Sequence, residues 1–99
     1  MILILTQFLR PHGDKRDLQV EIDDALRDKV RQIERRGLRF TAEVLPAGEV
    51  SFCIEDEQSD LAIELAPNGP GSEWRQREIL EDMITRFEIP PRMTSEDLS

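Results

Sequence analysis

L-R-F-T-A-E-V-L-P-A-G-E-V-S-F-C-I-E-D-E-Q-S-D-L-A-I-E-L-A, residues 38–66, reads as three consecutive strands. Phe40, Ala42 and Val44 alternate with Arg39, Thr41 and Glu43. Val50, Phe52 and Ile54 alternate with Glu49, Ser51, Cys53 and Glu55. Leu61, Ile63 and Leu65 alternate with Ala62, Glu64 and Ala66. A repeated period of two marks half-buried antiparallel strands with one wet face. The turn Leu45-Pro46-Ala47-Gly48-Glu49 suits a type I turn closed by a glycine bulge, with Pro setting φ early and Gly taking a positive φ late. Pairing Leu45 with Glu49 sets Val44 opposite Val50, Ala42 opposite Phe52 and Phe40 opposite Ile54. Arg39 then meets Glu55 on the other face. A one-residue slip would bury the charges instead. The second turn, Asp56-Glu57-Gln58-Ser59, is less diagnostic.

Working outward toward the start, Ile2 to Arg10 and Lys15 to Ile22 read as a first hairpin. Its turn, Arg10-Pro11-His12-Gly13-Asp14, repeats the Pro-x-Gly chemistry of the Pro46 turn. The same geometry would pair Arg10 with Asp14, Ile4 with Val20 and Ile2 with Ile22. Strand 1 is apolar on both sides: Ile2, Ile4 and Phe8 on one, Leu3, Leu5 and Leu9 on the other. Strand 2 is apolar on one side only. Strand 1 therefore suits a central position and strand 2 an edge. Asp23 and Asp24 open a helix that Gly37 ends, with Leu26, Val30 and Ile33 as its apolar stripe. Past residue 66, Pro67-Asn68-Gly69-Pro70-Gly71 is a loop. Ser72 can cap a second helix, from Glu73 to about Phe87, whose stripe is Leu80, Met83, Ile84 and Phe87. Trp74 falls off that stripe.

The order is β-β-α-β-β-β-α. It predicts an α+β two-layer sandwich with a five-stranded, wholly antiparallel sheet, ordered 2-1-3-4-5 or 2-1-5-4-3. Both helices would cover the face carrying Phe40, Phe52 and Ile63. Residues 1–89 form the expected single domain and 90–99 a polar tail.

Composition narrows the function classes. With 99 residues, 34% charged and 38% hydrophobic, the chain is long enough for a core and too apolar for disorder. No apolar run approaches the roughly 20 residues of a membrane helix, and residues 1–5 are too short and lack the basic leader of a secretion signal. A single cysteine fits a reducing cytoplasm. Net charge is −8, unevenly spread: nine Lys/Arg against seven Asp/Glu in residues 1–39, four against fourteen in residues 40–99. That balance argues against direct nucleic-acid and anionic-membrane binding and permits a basic protein partner.

No chemistry-bearing motif emerges. His12 is the only histidine and sits in a turn without catalytic partners. Cys53 lies on the wet face beside Thr41 and Ala62, with no cation or helix N-terminus to activate it, and reads as a shielded thiol. Glu55, Asp56, Glu57 and Asp60 cluster in a hairpin loop, but calcium-loop spacing and an inward-folding glycine are missing. Asn68-Gly69-Pro70-Gly71 lacks the phosphate-loop pattern. Arg27, Arg31 and Arg35 line one helix face, interleaved with Asp24, Asp28 and Glu34, and read as a solvated face. The sequence thus predicts no catalytic, cofactor-binding or metal-ligating residue. The candidate interface residues are Leu3, Leu5 and Leu9, an apolar patch opposite the main core; the acids Glu55, Asp56, Glu57 and Asp60; and Trp74.

Three stretches, L-T-Q-F-L-R-P-H-G at 5–13, G-L-R-F-T-A-E-V-L-P-A-G-E-V-S at 37–51 and D-L-A-I-E-L-A-P-N-G-P at 60–70, resemble a group of small bacterial and phage or prophage proteins of unknown function. The resemblance covers most of residues 5–70, rests on strands and turns, and implies a shared fold without any chemistry. It also implies an accessory protein of a mobile element, acting on a host system. The expected function is a non-enzymatic protein-binding module, able to pair with a second copy through the leucine patch. Two other classes compete. A DNA-mimicking inhibitor would use the acids of residues 40–99. A small enzyme or ligand-binding domain would need a concave pocket lined by polar groups.

Overall fold

A computed structural model describes residues 1–9 and 13–91. The Arg10–His12 part of the first turn and the tail beyond Pro91 lie outside the described residues, and with them the readings of His12 and of the polar tail. The elements are β1 (Ile2–Leu9), β2 (Asp14–Glu21), a 3-10 turn (Asp24–Leu26), α1 (Arg27–Arg35), β3 (Arg39–Val44), β4 (Glu49–Glu55), β5 (Asp60–Pro67) and α2 (Glu73–Arg86). The class is α+β, with one sheet ordered β2-β1-β3-β4-β5.

The β3–β4 hairpin has the register its turn dictates. Val44 faces Val50, Ala42 faces Phe52, Phe40 faces Ile54, and Arg39 faces Glu55. Leu45 N–H donates to the Glu49 carbonyl at 2.8 Å and Gly48 N–H to the Leu45 carbonyl at 3.0 Å. Gly48 takes φ 86°, which a residue with a Cβ adopts only with strain. The Arg39–Glu55 pair closes at 3.5 Å.

The sheet is mixed rather than wholly antiparallel, because β1 and β3 run parallel: Thr6 lies beside Thr41, Gln7 beside Ala42 and Phe8 beside Glu43. Helix length explains the correction. Nine residues of α1 rise only about 14 Å, whereas an eight-residue strand spans about 26 Å. So short a helix cannot return the chain along the whole of β2. Hence β3 starts at the end of the sheet where β2 stops, and runs alongside β1. Asp23 fixes the corner: its carboxylate accepts from Ala25 N–H at 2.9 Å, and its own N–H donates to Glu81 Oε2 of α2 at 2.8 Å.

The first hairpin also departs from expectation. Its closing pair is Leu9–Asp14, not Arg10–Asp14, so Leu3 faces Val20 and Leu5 faces Leu18. Gly13 N–H donates to the Leu9 carbonyl at 3.0 Å. The turn is one residue longer than its Pro46 counterpart, and one residue of register exchanges the two sides of a strand. Leu3 and Leu5 are therefore core residues, 3% and 0% exposed, while Ile2 and Ile4 face solvent. Leu9 is half-buried. The expected Leu3–Leu5–Leu9 surface patch is thus corrected: two of its three members are interior.

A third correction concerns β5. Ile54 faces Ala62, Phe52 faces Glu64 and Val50 faces Ala66, which leaves Leu61, Ile63 and Leu65 on the outward row. The small side chains of Ala62 and Ala66 make room for α2, whose Leu80, Met83 and Ile84 supply the bulk instead. Arg86 pairs with Glu64 at 3.0 Å, and Gln76 Nε2 donates to the Pro67 carbonyl at 2.8 Å. One cluster unites Leu3, Leu5, Phe40, Phe52 and Ile54 of the sheet with Val30 and Ile33 of α1 and Leu80, Met83 and Ile84 of α2. Ser72 stands at the N-cap of α2, where its carbonyl accepts from Gln76 N–H at 2.9 Å, but its hydroxyl bonds back to Gly69 in the preceding loop rather than to the helix.

Candidate functional site

The sheet face away from the core is exposed at Ile2, Ile4, Ile63 and Leu65 and buried at Thr41 and Cys53. A β-strand sends alternate side chains to opposite faces, so this face carries Ile2, Ile4, Thr6 and Phe8 of β1, Thr41 and Glu43 of β3, Ser51 and Cys53 of β4, and Ile63 and Leu65 of β5. A concavity of about 940 Å³ opens on it. Phe8 and Leu9 bound it on one side and Leu45 and Pro46 at the β3–β4 turn. Thr41, Ser51 and Cys53 form its floor, and Glu55, Asp60 and Ile63 the far side.

One end of the concavity is a polar cluster. A β-bulge at Ile54/Glu55 shifts the register so that Glu55 faces Asp60. That brings the Cys53 thiol and the two carboxylates together, with their donor atoms within 4.8 Å of one another. Cys53 Sγ lies 3.9 Å from Glu55 Oε2. Burial, and secondarily the Asp60 carboxylate, pushes the thiol up to about 12. Glu55 titrates above the usual carboxylate range, chiefly through burial and then through its hydrogen bond to Asp60; Arg39 opposes the shift. A thiol held protonated is a poor nucleophile and a poor metal ligand. The three groups have the chemistry of a soft divalent-metal donor set. However, the carboxylates that would help hold the ion also hold the proton on sulfur, and Arg39 already engages Glu55.

The remaining candidates are dispersed. Asp56 is occupied structurally: its Oδ1 accepts from Gln58 N–H and Ser59 N–H, both at 2.8 Å, which holds its carboxyl below the usual range. Glu57 is exposed at the same turn. The four acids of the hairpin therefore divide: Glu55 and Asp60 turn into the concavity, while Asp56 folds the loop. Trp74 is 67% exposed at the start of α2. On α1, Arg27 meets Asp24 at 3.6 Å, Lys29 reaches the Thr85 carbonyl at 3.4 Å, and Arg36 donates to the Pro90 carbonyl.

Sequence reasoning did not find the outward row of Ile2, Ile4, Ile63 and Leu65, nor the convergence of Asp60 on Cys53. The first follows from a strand apolar on both sides and from alanines that reserve space for a helix. The second depends on a bulge, for which strand alternation carries no signal. Among the described residues, no helix is long and apolar enough to cross a membrane. No protein-family model, curated protein or solved structure matches this chain.

Proposed function

We propose that the chain is a non-enzymatic protein-binding module whose open sheet face receives a partner protein. The carrying observation is that face: Ile2 and Ile4 on β1 and Ile63 and Leu65 on β5 are each at least half exposed, and the concavity between β1 and β5 has an acidic end. Large apolar side chains left in water on either side of a polar floor mark an interaction site. Glu55 and Asp60 at one end, within a segment that carries fourteen acids against four bases, favour a basic partner surface. A small-molecule site would also use the concavity, but it would leave Ile2 and Ile4 outside it without a role. The resemblance to prophage proteins supplies the setting, an accessory protein that acts on a host component.

The experiment is affinity capture from a host lysate, with the wild-type protein beside Ile4→Asp and Ser51→Arg. Both positions lie on the open face and neither is in the core cluster. A partner retained by the wild type and lost from both variants supports the reading. The same partner retained by both variants overturns it.

A further inference from the structure

The outer strand β5 lacks the usual protection of a sheet edge. Natural edges carry charges, prolines or bulges that discourage another strand from pairing. The opposite edge, β2, has Lys15, Arg16 and Asp17 in succession. In β5 the outward row is Leu61, Ile63 and Leu65, which are 39%, 54% and 50% exposed. Its one proline, Pro67, stands at the last position, and its bulge is confined to the Asp60 end.

Backbone alternation fixes which groups a new strand would meet. Leu45 bonds Glu49, so the odd residues of β4 turn their N–H and C=O toward β3 and the even residues toward β5. Their partners on β5 are Ala62, Glu64 and Ala66. The Asn68 N–H to Gly48 carbonyl bond, 3.2 Å, continues the same ladder. The backbone groups of Leu61, Ile63 and Leu65 therefore point away from the sheet.

Those three residues are self-complementary in one register only. With two copies antiparallel and Ile63 opposite its own counterpart, Leu61 meets Leu65 and Leu65 meets Leu61. On the other row Ala62 meets Glu64, and Asp60 meets Ala66. No acid then faces an acid. A shift of two residues one way sets Asp60 against Glu64 twice; a shift the other way sets Glu64 against itself. A shift of one residue brings inward-bonded backbone groups to the seam and loses the ladder. Hydrogen-bond parity and charge thus select the same arrangement.

We propose that β5 is a homodimer edge, with two copies joined antiparallel about a two-fold axis through Ile63 into one continuous ten-stranded sheet. The contact is isologous, as closed two-fold dimers require. It covers an apolar row that the monomer leaves in water, and it runs the two open faces side by side. Each copy carries −8, so association works against long-range repulsion and should tighten as salt screens it.

The test is sedimentation equilibrium of the wild-type protein and Ile63→Asp, with circular dichroism to verify that both fold. Ile63 is outside the core cluster, so the variant should keep its fold. The wild type is expected to dimerise, more tightly at high salt. Ile63→Asp places two like charges on the axis and should raise the dimer dissociation constant by about tenfold or more. A second arm places Ile63→Cys and the control Gln19→Cys in a Cys53→Ser background, because Cys53 faces position 63 across the β4–β5 ladder and would otherwise capture the new thiol within one copy. A hydrogen-bonded antiparallel pair holds its Cα atoms about 5.5 Å apart, which lies within disulfide reach. Mild oxidation should therefore cross-link Ile63→Cys, while Gln19→Cys on the β2 edge should remain monomeric. A wild-type protein that stays monomeric at its highest soluble concentration overturns the proposal. So does an Ile63→Asp variant that dimerises as well as the wild type, or a Gln19→Cys variant that cross-links as readily as Ile63→Cys. The open-face reading is tested separately, by Ile4→Asp and Ser51→Arg, at positions away from the β5 seam.

Discussion

The side of β1 that faces the core can be decided by one pair of substitutions. Leu5 is 0% exposed and sits opposite Leu18, whereas its neighbour Ile4 is 56% exposed. Leu5→Ala removes the end of a fully buried side chain. At about 0.8 kcal/mol per buried CH₂, transfer alone costs about 2.4 kcal/mol. The residual cavity beneath Phe52 and the helices adds to this, and measured Leu→Ala changes in well-packed cores bring the total to about 3–4 kcal/mol. Ile4→Ala removes a group already half in water and should cost below about 1 kcal/mol. Urea melts of the two variants, fitted with a shared m-value, give the difference directly. For a domain of this size the Leu5→Ala loss corresponds to a drop in Tm of roughly 12–30 °C, at about 4–8 °C per kcal/mol. If Ile4→Ala destabilises as much as Leu5→Ala, the Leu9–Asp14 closing pair is wrong and the sides of β1 are exchanged.

Three further outcomes follow from the packing and the charges. Phe52→Ala, opposite Ala42 at 0% exposure, should cost about 3–5 kcal/mol in denaturant melts; a loss under about 1 kcal/mol would reject that register or its burial. Cys53, raised to about 12 from an ordinary 9.0, keeps its proton better folded than unfolded. Its contribution is fully present below pH 9 and disappears as pH rises toward 12, so Cys53→Ala should flatten the alkaline decline in stability, and the native thiol should react slowly with a disulfide reagent near neutral pH. For Asp56 the sign reverses: its lowered carboxyl stabilises the fold above the ordinary carboxylate range and the benefit is lost on acidification, so Asp56→Ala should be less stable at neutral pH and show a shallower acid decline.

The reach of the sequence differed from strand to strand. The β3–β4 register was readable because each strand has one charged and one apolar row, and because Pro46 and Gly48 permit one turn. The α+β class followed from the element order, and the one-sided character of β2 put it at an edge beside β1, but the order 2-1-3-4-5 stayed undecided against 2-1-5-4-3. On β1 the same logic had nothing to discriminate, since Ile2 and Ile4 are as apolar as Leu3 and Leu5, and a turn longer by one residue decided the matter. On β5, alternation put Ile63 inward because it is larger than Ala62. The packed structure prefers the alanines inward, since α2 brings its own bulk. Asp60 and Cys53 looked unrelated, seven residues apart, until the bulge paired Glu55 with Asp60.

The three-residue ladder between β1 and β3 has a kinetic consequence. The other ladders join strands that are neighbours in sequence, across turns of a few residues. This one must close a loop of about thirty-five residues, and the larger loop carries roughly 2 kcal/mol more closure entropy than a short hairpin turn. It is also the shortest ladder in the sheet, so little is recovered until Leu3 and Leu5 find the interior. The meander β3–β4–β5 can therefore assemble as a local unit, with the N-terminal hairpin docking against it as the late step. The same seam is where the native molecule should open first, exposing amide protons of β1 and β3 to exchange while those between β3 and β4 stay protected.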